Sequence, residues 1–397
     1  LWDTYRNVHQ LLTLVYPERQ IDMVRSMIGM YEEWGWMPKW ELYGRETFTM
    51  EGDPAIPVIT DTWIKGLRDF DIGKAYEAFL KSATTPGARN RMRPDIDPYV
   101  ERGYIPLGFY AKDLAGDVSV SHALEYYIAD HALSLLADSL GHREDAKRFR
   151  ERSLGYRHYY DKEYGSFRPI NPDGSFLTPF DPRAGENFSA APGFHEGSAW
   201  NYTFYVPHDV EGLIGCFGGK EAFTGKLDSL FVVSSVLEGA ASPDISGLIG
   251  QYAHGNEPSH HVVYLYTMIG QPWKTADKVR EILTTLYHDR PDGLSGNEDV
   301  GQMSAWYVLS SLGFYQVEPA GGRYFFGSPL FDKAEVRVRD GVLTVTAHNN
   351  SAANKYIQAV KLNGKPYTKP YIAFDDIAAG GVLEFEMGAE PAVWYEL

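Results

Sequence analysis

Two acidic segments of the sequence each stand just before a predicted helix, among glycine and aromatic residues. The first contains Glu196, next to His195, and the second pairs Glu298 with Asp299. A carboxyl group flanked by aromatic side chains can have its pKa raised by desolvation, as a general acid at neutral pH requires. Glycoside hydrolysis needs one such acid, and a second carboxylate that activates water or attacks the sugar. The residue types permit that chemistry.

Each of these segments also has an ordinary structural explanation. An acidic residue before a helix interacts favourably with the helix N-terminus and can cap its unpaired N–H groups. Such residues are common at helix starts. From residue types alone, capping is the favoured interpretation of Glu298 and Asp299, and Glu196 is one plausible acid among many.

A third segment, residues 254–261, reads His-Gly-Asn-Glu-Pro-Ser-His-His. The amide oxygen of Asn256, the carboxylate of Glu257 and nearby main-chain carbonyls are the oxygen ligands that calcium prefers. Zinc on His260 and His261 is less plausible, because neighbouring side chains on a helix point about 100° apart. We therefore predict calcium bound through Asn256 and Glu257. Of the two histidines, we expect one to be a core or hydrogen-bonding residue and the other to be exposed.

Two shorter features could line a sugar-binding site. Trp2, Asp3 and Arg6 stand together at the start, and the compact turn over 35–41 includes Trp40 and Glu41. Aromatic faces and polar tips suit sugar rings. Core packing or a surface ion pair explains these residues equally well without further information.

Composition excludes several classes of function. The net charge of −16 opposes a nucleic-acid partner, which requires clustered Lys and Arg. The sequence has no apolar run of transmembrane length, which predicts no membrane insertion. It also has no P-loop, dinucleotide fingerprint or Gly-x-Ser-x-Gly elbow. The chain opens without an initiator Met or a signal peptide, so we interpret it as part of a longer precursor.

Helical periodicity dominates the sequence up to about residue 312. The strongest patterns cover 118–140 and 272–287, where apolar residues recur every three or four positions. Weaker patterns cover 5–15, 18–34, 56–67, 71–82, 143–160, 198–205, 208–217, 219–236, 258–269 and 300–312. About a dozen helices in antiparallel pairs predict an (α/α)6 barrel over 1–314. The long loops 86–116 and 161–196 are typical of functional or lid-like segments.

After Phe314 the pattern changes to alternation of apolar and polar residues. Asn363-Gly364 is a good hairpin turn between two such runs, and Gly380-Gly381 precedes another. The fold class predicted is therefore mainly α, with a small C-terminal antiparallel β module over 315–397.

The acidic motifs also occur in a recognisable order along the chain. Taken together, they resemble glycoside hydrolase family 92, whose members are largely bacterial exo-acting α-mannosidases that need calcium and invert anomeric configuration. The motifs that carry this resemblance are residues 1–6, 35–41, 195–200, 254–261 and 296–306. In that family an (α/α)6 barrel follows an N-terminal β-sandwich, which this chain lacks. The resemblance implies that this β-sandwich is a partner of the barrel.

The resemblance implies a role for each motif. It makes Glu196 the general acid and places the base in the second acidic segment, with Asp299 favoured over Glu298. It implies calcium at Asn256 and Glu257, contacting the sugar's 2- and 3-hydroxyls. It also implies an α-mannoside glycan as substrate and a secreted, periplasmic or cell-surface location. The residues that it places around the substrate are Trp2, Asp3, Arg6, Trp40, Glu41, His195, Trp200 and His260.

Two other functions stay open at this point. A sugar epimerase with the same barrel would use paired histidines as proton shuttles, which only His260 and His261 suggest. A non-catalytic carbohydrate-binding protein would keep the acidic pairs for structural reasons.

Overall fold

The computed structural model describes residues 1–109, 117–185, 193–239 and 241–396. Helices are the main regular elements of the chain as far as Leu312, and strands are the main ones after it. The helices are α1 (Val8–Val15), α2 (Pro17–Trp34), α3 (Ala55–Ile64), α4 (Ile72–Thr84), α5 (Ile96–Arg102), α6 (Ser119–Ser139), α7 (Arg143–Arg152), α8 (Ala199–Tyr202), α9 (Val210–Cys216), α10 (Lys220–Leu230), α11 (Leu265–Met268), α12 (Pro272–Thr285), α13 (Gln302–Leu312) and α14 (Phe374–Ile377). No helix within these residues is long and apolar enough to cross a membrane.

The strongly periodic segments form helices close to their predicted bounds, as α6 and α12 show. Among the weaker patterns, 18–34 and 71–82 also form helices close to their predicted bounds, as α2 and α4 show, whereas others are shortened. The helix predicted over 219–236 ends at Leu230, before the β-branched pair Val232 and Val233, which lose side-chain freedom in a helix. The segment predicted over 258–269 consists of short 3-10 turns followed by α11.

The predicted loop 86–116 is not a loop throughout, because it contains α5. Pro98 lies in the first turn of α5, where the N–H that proline lacks would have no partner within the helix. Gly103 ends the helix with a φ of 80°, a left-handed conformation that glycine adopts without strain. The parts of the two predicted long loops at 110–116 and 186–192 lie outside the described residues.

Short pairs of strands lie within the helical part, and longer strands follow it. The strands are β1 (Glu41–Leu42), β2 (Arg45–Glu46), β3 (Tyr160–Asp161), β4 (Ser166–Phe167), β5 (Leu248–Ile249), β6 (Tyr252–Ala253), β7 (Phe314–Gln316), β8 (Arg323–Phe326), β9 (Lys333–Val338), β10 (Gly341–His348), β11 (Tyr356–Leu362), β12 (Lys365–Pro366), β13 (Tyr371–Ala373) and β14 (Gly381–Gly388). Within residues 333–388, five strands pair in the order β12-β11-β14-β10-β9. The predicted hairpin at Asn363-Gly364 joins β11 to β12.

The C-terminal sheet is mixed, so the prediction of an antiparallel β module is wrong in one pairing. Strand β14 enters between β11 and β10, and it runs parallel to β10. A parallel pair needs a long crossover connection, and residues 349–380 supply it through β11, β12, β13 and α14. Alternation along each strand indicates which residues share a face but does not reveal which strand becomes the neighbour.

Buried residues form two large apolar clusters within the described part of the chain. The first fills the helical part and also takes in Tyr315 and Phe325. The second lies under the C-terminal sheet and takes in Leu14 of α1 and Leu309 of α13. Within the helical part, the first helix α1 contacts both α2 and the late helix α13. The domain boundary at 314–315 stays a prediction.

Candidate active site

Three carboxylates from distant parts of the chain converge on one point. Asp3, Glu257 and Asp299 each direct an oxygen to within 4.8 Å of the others. Asp3 lies in the turns before α1, Glu257 begins a 3-10 turn, and Asp299 precedes α13. The structure therefore joins one residue from each of three motifs in an acidic cluster.

One side chain at the start of α13 holds these segments together. The Oε1 atom of Gln302 accepts hydrogen bonds from the main-chain N–H groups of Asn7 and Val8, at 3.0 and 3.1 Å. Its Nε2 atom donates to Nδ1 of His260 at 3.1 Å. Gln302 is fully buried, so these contacts set the position of Asp3 relative to Glu257.

Burial makes the acidic cluster costly to ionise. Desolvation, followed by the nearby charge of Asp299, raises the pKa of Asp3 to about 7, although Arg6 opposes the change. Desolvation, followed by Asp3 and Asp299, raises the pKa of Glu257 well above its usual range. The Asp3 Oδ2 and Glu257 Oε1 atoms accept no hydrogen bond from the described residues. Buried carboxylates without donors indicate a site for a cation.

The oxygen atoms of the acidic cluster are ligands that suit a hard cation. They are carboxylate oxygens, and Asn256 adds an amide beside them. Its Nδ2 donates a hydrogen bond to the main-chain oxygen of Glu196 at 2.7 Å, which leaves its Oδ1 to accept from or coordinate another group. Calcium binds six to eight such oxygens, whereas zinc prefers nitrogen and sulphur ligands. The three carboxylates therefore fit a hard cation such as calcium, with Asp3 and Asp299 beside the predicted ligand Glu257, and calcium binding through Asn256 and Glu257 stays a prediction.

Glu196 lies at the edge of the cluster, next to His195. Its side chain is 13% exposed, and its Oε1 is 3.4 Å from His195 Nε2. Its negative charge raises the pKa of Asp299, although desolvation is the larger cause. Glu196 and Asp299 therefore lie near enough to interact electrostatically, although they belong to two different loops.

Glu298 and Asp299 are neighbours with different surroundings. The carboxylate of Glu298 accepts hydrogen bonds from the N–H of Gly301 and, at 3.0 Å, from the N–H of Ser304. These donors belong to the first turn of α13, so Glu298 satisfies the helix N-terminus. Asp299 instead points towards Glu257. Helix capping, which the sequence allowed for both residues, therefore applies to Glu298.

Both loops hold the backbone in an unfavourable conformation at the acidic residue. The φ angles are 45° at Glu196, 52° at Asp299 and 56° at Val300. Non-glycine residues in this left-handed region cost free energy and occur most often where function requires a particular side-chain direction. Two such loops at one acidic cluster indicate an active site.

Comparisons with known proteins agree with this geometry. The model of the glycosyl hydrolase family 92 catalytic domain matches residues 1–389. The chain belongs to this family.

Solved structures of the same family resemble this family 92 chain closely. A GH92 α-mannosidase from Bacteroides thetaiotaomicron, in complex with mannoimidazole, is 38% identical with a TM-score of 0.92. The match covers 99% of this chain and 51% of that one. A GH92 inverting mannosidase from B. thetaiotaomicron VPI-5482 is 35% identical with a TM-score of 0.87, over 98% of this chain and 53% of that one.

A curated relative matches as well. It is an uncharacterized secreted glycosidase from Arthroderma benhamiae, 28% identical over 405 residues. The match covers 95% of this chain and 50% of the relative. The family 92 chain thus spans about half the length of the relatives that it matches.

Trp2 and Arg6 lie beside the acidic cluster of this family 92 chain. The buried Trp2 ring meets the His195 ring edge-on, with centroids 5.7 Å apart, and the Arg6 guanidinium lies 4.8 Å from the Trp2 ring centre. Arg6 also forms a buried ion pair with Glu125 at 3.2 Å. Its positive charge lowers the pKa values of both Asp3 and Glu257.

Trp40 and Glu41 line a surface pocket next to the cluster. The same pocket is lined by Thr4 and Val300, which directly follow Asp3 and Asp299 in the chain. Its other walls are mainly apolar residues of α1 and α2. The turn that carries Trp40 therefore lines this pocket, and the roles of Trp40 and Glu41 in substrate binding stay predictions.

Glu46 stabilises the turn that carries Trp40 through main-chain hydrogen bonds. Its carboxylate accepts from the N–H groups of Lys39, Trp40 and Phe48 at 2.6 to 3.2 Å. We expect Glu46→Ala to increase hydrogen exchange of residues 39–48 by about tenfold or more, because charge-assisted hydrogen bonds contribute about 1.5–3 kcal/mol each.

Hydrogen-exchange mass spectrometry of the folded protein measures this effect. The matched control is Glu41→Gln, directly opposite Glu46 in the β1–β2 pair. It removes a like charge, so exchange should stay unchanged or become slower. Equal exchange in Glu46→Ala and the parent protein would contradict the role of Glu46.

Trp200 and His260 make contacts within the protein. The Lys226 ammonium lies 3.7 Å from the centre of the Trp200 ring. Nε2 of His260 bonds the main-chain oxygen of His254 at 3.0 Å, while its Nδ1 faces Gln302. Their roles in substrate binding stay predictions.

The histidine pair offers no support for an epimerase. His261 bonds the Phe204 main-chain oxygen at 2.8 Å, as His260 bonds that of His254. Burial lowers the pKa of His260 to about 3 and that of His261 to about 4. Both histidines are buried and engaged with the main chain, so the expectation that one of them is exposed is wrong.

Sequence analysis did not identify three buried residues around the site. Gln302 lies in the motif 296–306, at the start of a helix. Its residue type and its neighbours Gly301 and Met303 do not indicate that it makes three buried hydrogen bonds. Glu51 lies in Met50-Glu51-Gly52, and Glu125 lies inside the apolar pattern of α6. Both could have been identified from the sequence, because a carboxylate at a core position needs a partner.

Proposed function

We propose that this chain carries the active site of a calcium-assisted, exo-acting α-mannosidase that inverts configuration. The observation that carries the proposal is the cluster of Asp3, Glu257 and Asp299, with Glu196 near enough to raise the pKa of Asp299. The α-mannosidases among its relatives support the substrate, and the inverting mannosidase supports the stereochemical outcome. Because the chain spans about half of these relatives, the proposal concerns the site rather than the whole enzyme.

Glu196 acts as the general acid in this proposal. It protonates the glycosidic oxygen as the bond to the anomeric carbon breaks. His195 contacts its Oε1, and the backbone conformation of Glu196 directs its carboxyl group towards the cluster. Partial burial from water suits a group that must deliver a proton to the leaving oxygen.

Asp299 acts as the general base. It removes a proton from a water molecule on the face of the sugar opposite the leaving group, and that water attacks the anomeric carbon. Glu298 holds the N-terminus of α13 and so keeps the loop of Asp299 in place. Trp2 and Arg6 line the sugar site next to the cluster, and Trp40 and Glu41 contribute to its rim.

Asp3, Glu257 and the Asn256 amide oxygen would hold the calcium ion. When bound, calcium supplies chelation of two neighbouring sugar hydroxyls, which favours a flattened ring and relieves the hindrance from the axial 2-hydroxyl of mannose. Arg6 balances part of the negative charge of the cluster. Gln302 keeps Asp3 within reach of Glu257.

Release of mannose from an α-linked disaccharide tests the function. NMR of the reaction should show β-mannose as the first product. Appearance of α-mannose first would exclude inversion, and binding of mannosides without any hydrolysis would favour a non-catalytic carbohydrate-binding protein.

Removal of calcium should abolish mannose release, and added calcium should restore it. Binding should also stabilise the folded chain by about 2.7 kcal/mol when free calcium is 100-fold above its Kd. Thermal unfolding with and without EDTA measures this, independently of activity. Glu257→Gln should remove most of the calcium-dependent stabilisation, whereas Glu41→Gln, at the rim, should retain it. Full activity after exhaustive dialysis against EDTA would refute the calcium assignment.

The remaining expectations complete the proposal. The contact between α1 and α13 supports an (α/α)6 barrel, and the greater length of the relatives is compatible with an N-terminal β-sandwich as a partner of the barrel. The secreted glycosidase among the relatives supports secretion, with a periplasmic or cell-surface location as the finer alternatives.

A further inference from the structure

His195 lies between two carboxylates that come from different parts of the chain. Its Nε2 is 3.4 Å from Oε1 of Glu196, and its Nδ1 is 3.7 Å from Oε1 of Glu51. The side chains of His195 and Glu51 are 1% and 0% exposed, whereas that of Glu196 is 13% exposed. Both are contacts at ion-pair distance rather than hydrogen bonds, and they form a line from a fully buried carboxylate to the proposed acid.

The backbone around His195 is held firmly. Its N–H donates to Oγ of Ser121 at 2.8 Å, and its carbonyl accepts from the hydroxyl of Tyr202 at 2.6 Å. Gly197 is necessary for this packing, because a Cβ there would lie 2.6 Å from the Tyr202 ring. These contacts place the ring but do not determine which way its two nitrogens face.

The orientation of the ring depends on its polar contacts. A rotation of 180° about the bond to the ring would exchange each nitrogen for a carbon, with little change in shape. A carboxylate at Nδ1 favours the orientation and the tautomer with an N–H on that side. Glu51 is the carboxylate in that position.

Glu51 itself is held by the loop before α3. Gly52 has a φ of 78°, and a Cβ on it would lie 2.8 Å from Cβ of Glu125 in α6. The close approach of this loop to α6 therefore requires glycine after Glu51. The local packing keeps Glu51 against the His195 side of the site.

We propose that Glu51 is a positioning residue for the acid. It holds the His195 ring with Nε2 towards Glu196, and the ring in turn directs the Glu196 carboxyl group towards the leaving oxygen. The inference rests on the proposed function, in which Glu196 is the general acid. Partners that fix the orientation of a metal-bound histidine change activity by about 10- to 100-fold when they are replaced, and we expect an effect of that size at Glu51.

Glu51→Gln tests the proposal, because the amide keeps the shape and loses the charge. For an α-linked mannobiose, which has a poor leaving group, kcat should fall about 10- to 100-fold. For 2,4-dinitrophenyl α-mannoside, whose leaving group needs no proton, kcat should change less than about threefold, because general acid catalysis contributes little there. KM should be unchanged for both. An equal loss on the two substrates would indicate a structural role and overturn the proposal.

A double-mutant cycle with Glu196→Gln supplies the second measurement. If Glu51 acts through Glu196, adding Glu51→Gln to Glu196→Gln should cause no further loss on mannobiose. A further loss of the same size as in the parent enzyme would also overturn the proposal. If Glu51→Gln fails to fold, His195→Gln interrupts the same line of contacts and should show the same substrate-selective loss.

The parent enzyme distinguishes the two levels of inference. Absence of mannose release from the parent enzyme, or an equal loss on both substrates in Glu196→Gln, would refute the proposed function itself. If Glu196→Gln loses activity selectively and Glu51→Gln does not, the function stands and the role of Glu51 is wrong.

Discussion

Glu196→Gln should lower kcat for α-linked mannobiose by about 10²- to 10⁴-fold, the usual contribution of a general acid. The amide has nearly the same shape as the carboxyl group but cannot deliver a proton. For 2,4-dinitrophenyl α-mannoside the loss should be less than about tenfold, because the departing phenolate is stable without protonation. Steady-state kinetics with the two substrates measures the difference.

The control for this variant is its structure and calcium binding. Asn256 contacts the main-chain oxygen of Glu196, which the substitution leaves in place. Thermal unfolding of Glu196→Gln, with and without calcium, should therefore match that of the parent enzyme. Similar losses on the two substrates would show that Glu196 is not the acid.

Asp299→Asn should lower kcat by a similar 10²- to 10⁴-fold, but equally for the two substrates. Every turnover needs an activated water, whatever the leaving group is. Because Asp299 also lies in the acidic cluster, the assay is done at saturating calcium. Under those conditions a variant that is merely deficient in calcium binding, such as Glu257→Gln, should recover activity, whereas Asp299→Asn should not.

Glu298→Gln is the matched control for Asp299→Asn. Its carboxylate bonds the first turn of α13, so its replacement should lower the free energy of unfolding by about 0.5–2 kcal/mol and largely preserve turnover. Chemical denaturation and kinetics separate these effects. If Glu298→Gln abolishes turnover and Asp299→Asn retains it, the two assignments must be exchanged.

The contrast between Glu298 and Asp299 shows how far sequence reasoning reaches. Both residues have the same chemistry and both precede the same helix, so residue type cannot separate them. The left-handed φ of 52° at Asp299 turns one carboxylate towards Glu257 and leaves the other over the helix N-terminus. That turn depends on the packing of the surrounding loops, which no local pattern encodes.

Other features were accessible before the structure. The periodicity of 118–140 and 272–287 predicted α6 and α12 closely, because a repeat of three and four residues already defines a buried helix face. The Asn363-Gly364 turn predicted its hairpin because both positions suit positive φ angles. The parallel pairing of β10 and β14 was missed, since strand neighbours across a long crossover are not a local property.

The sequence by itself determined the helical first part, the strand-rich end, the acidic motifs and the family to which they belong, since these depend on residue type and near-neighbour spacing. Only the tertiary structure decided that Asp3, Glu257 and Asp299 share one point, that Gln302 joins their segments, and that Glu51 backs His195. The raised pKa of Asp3 also depends on the tertiary structure. Burial and electrostatic contact arise between residues about 40 to nearly 300 positions apart along the chain, so they exist only once the chain has folded.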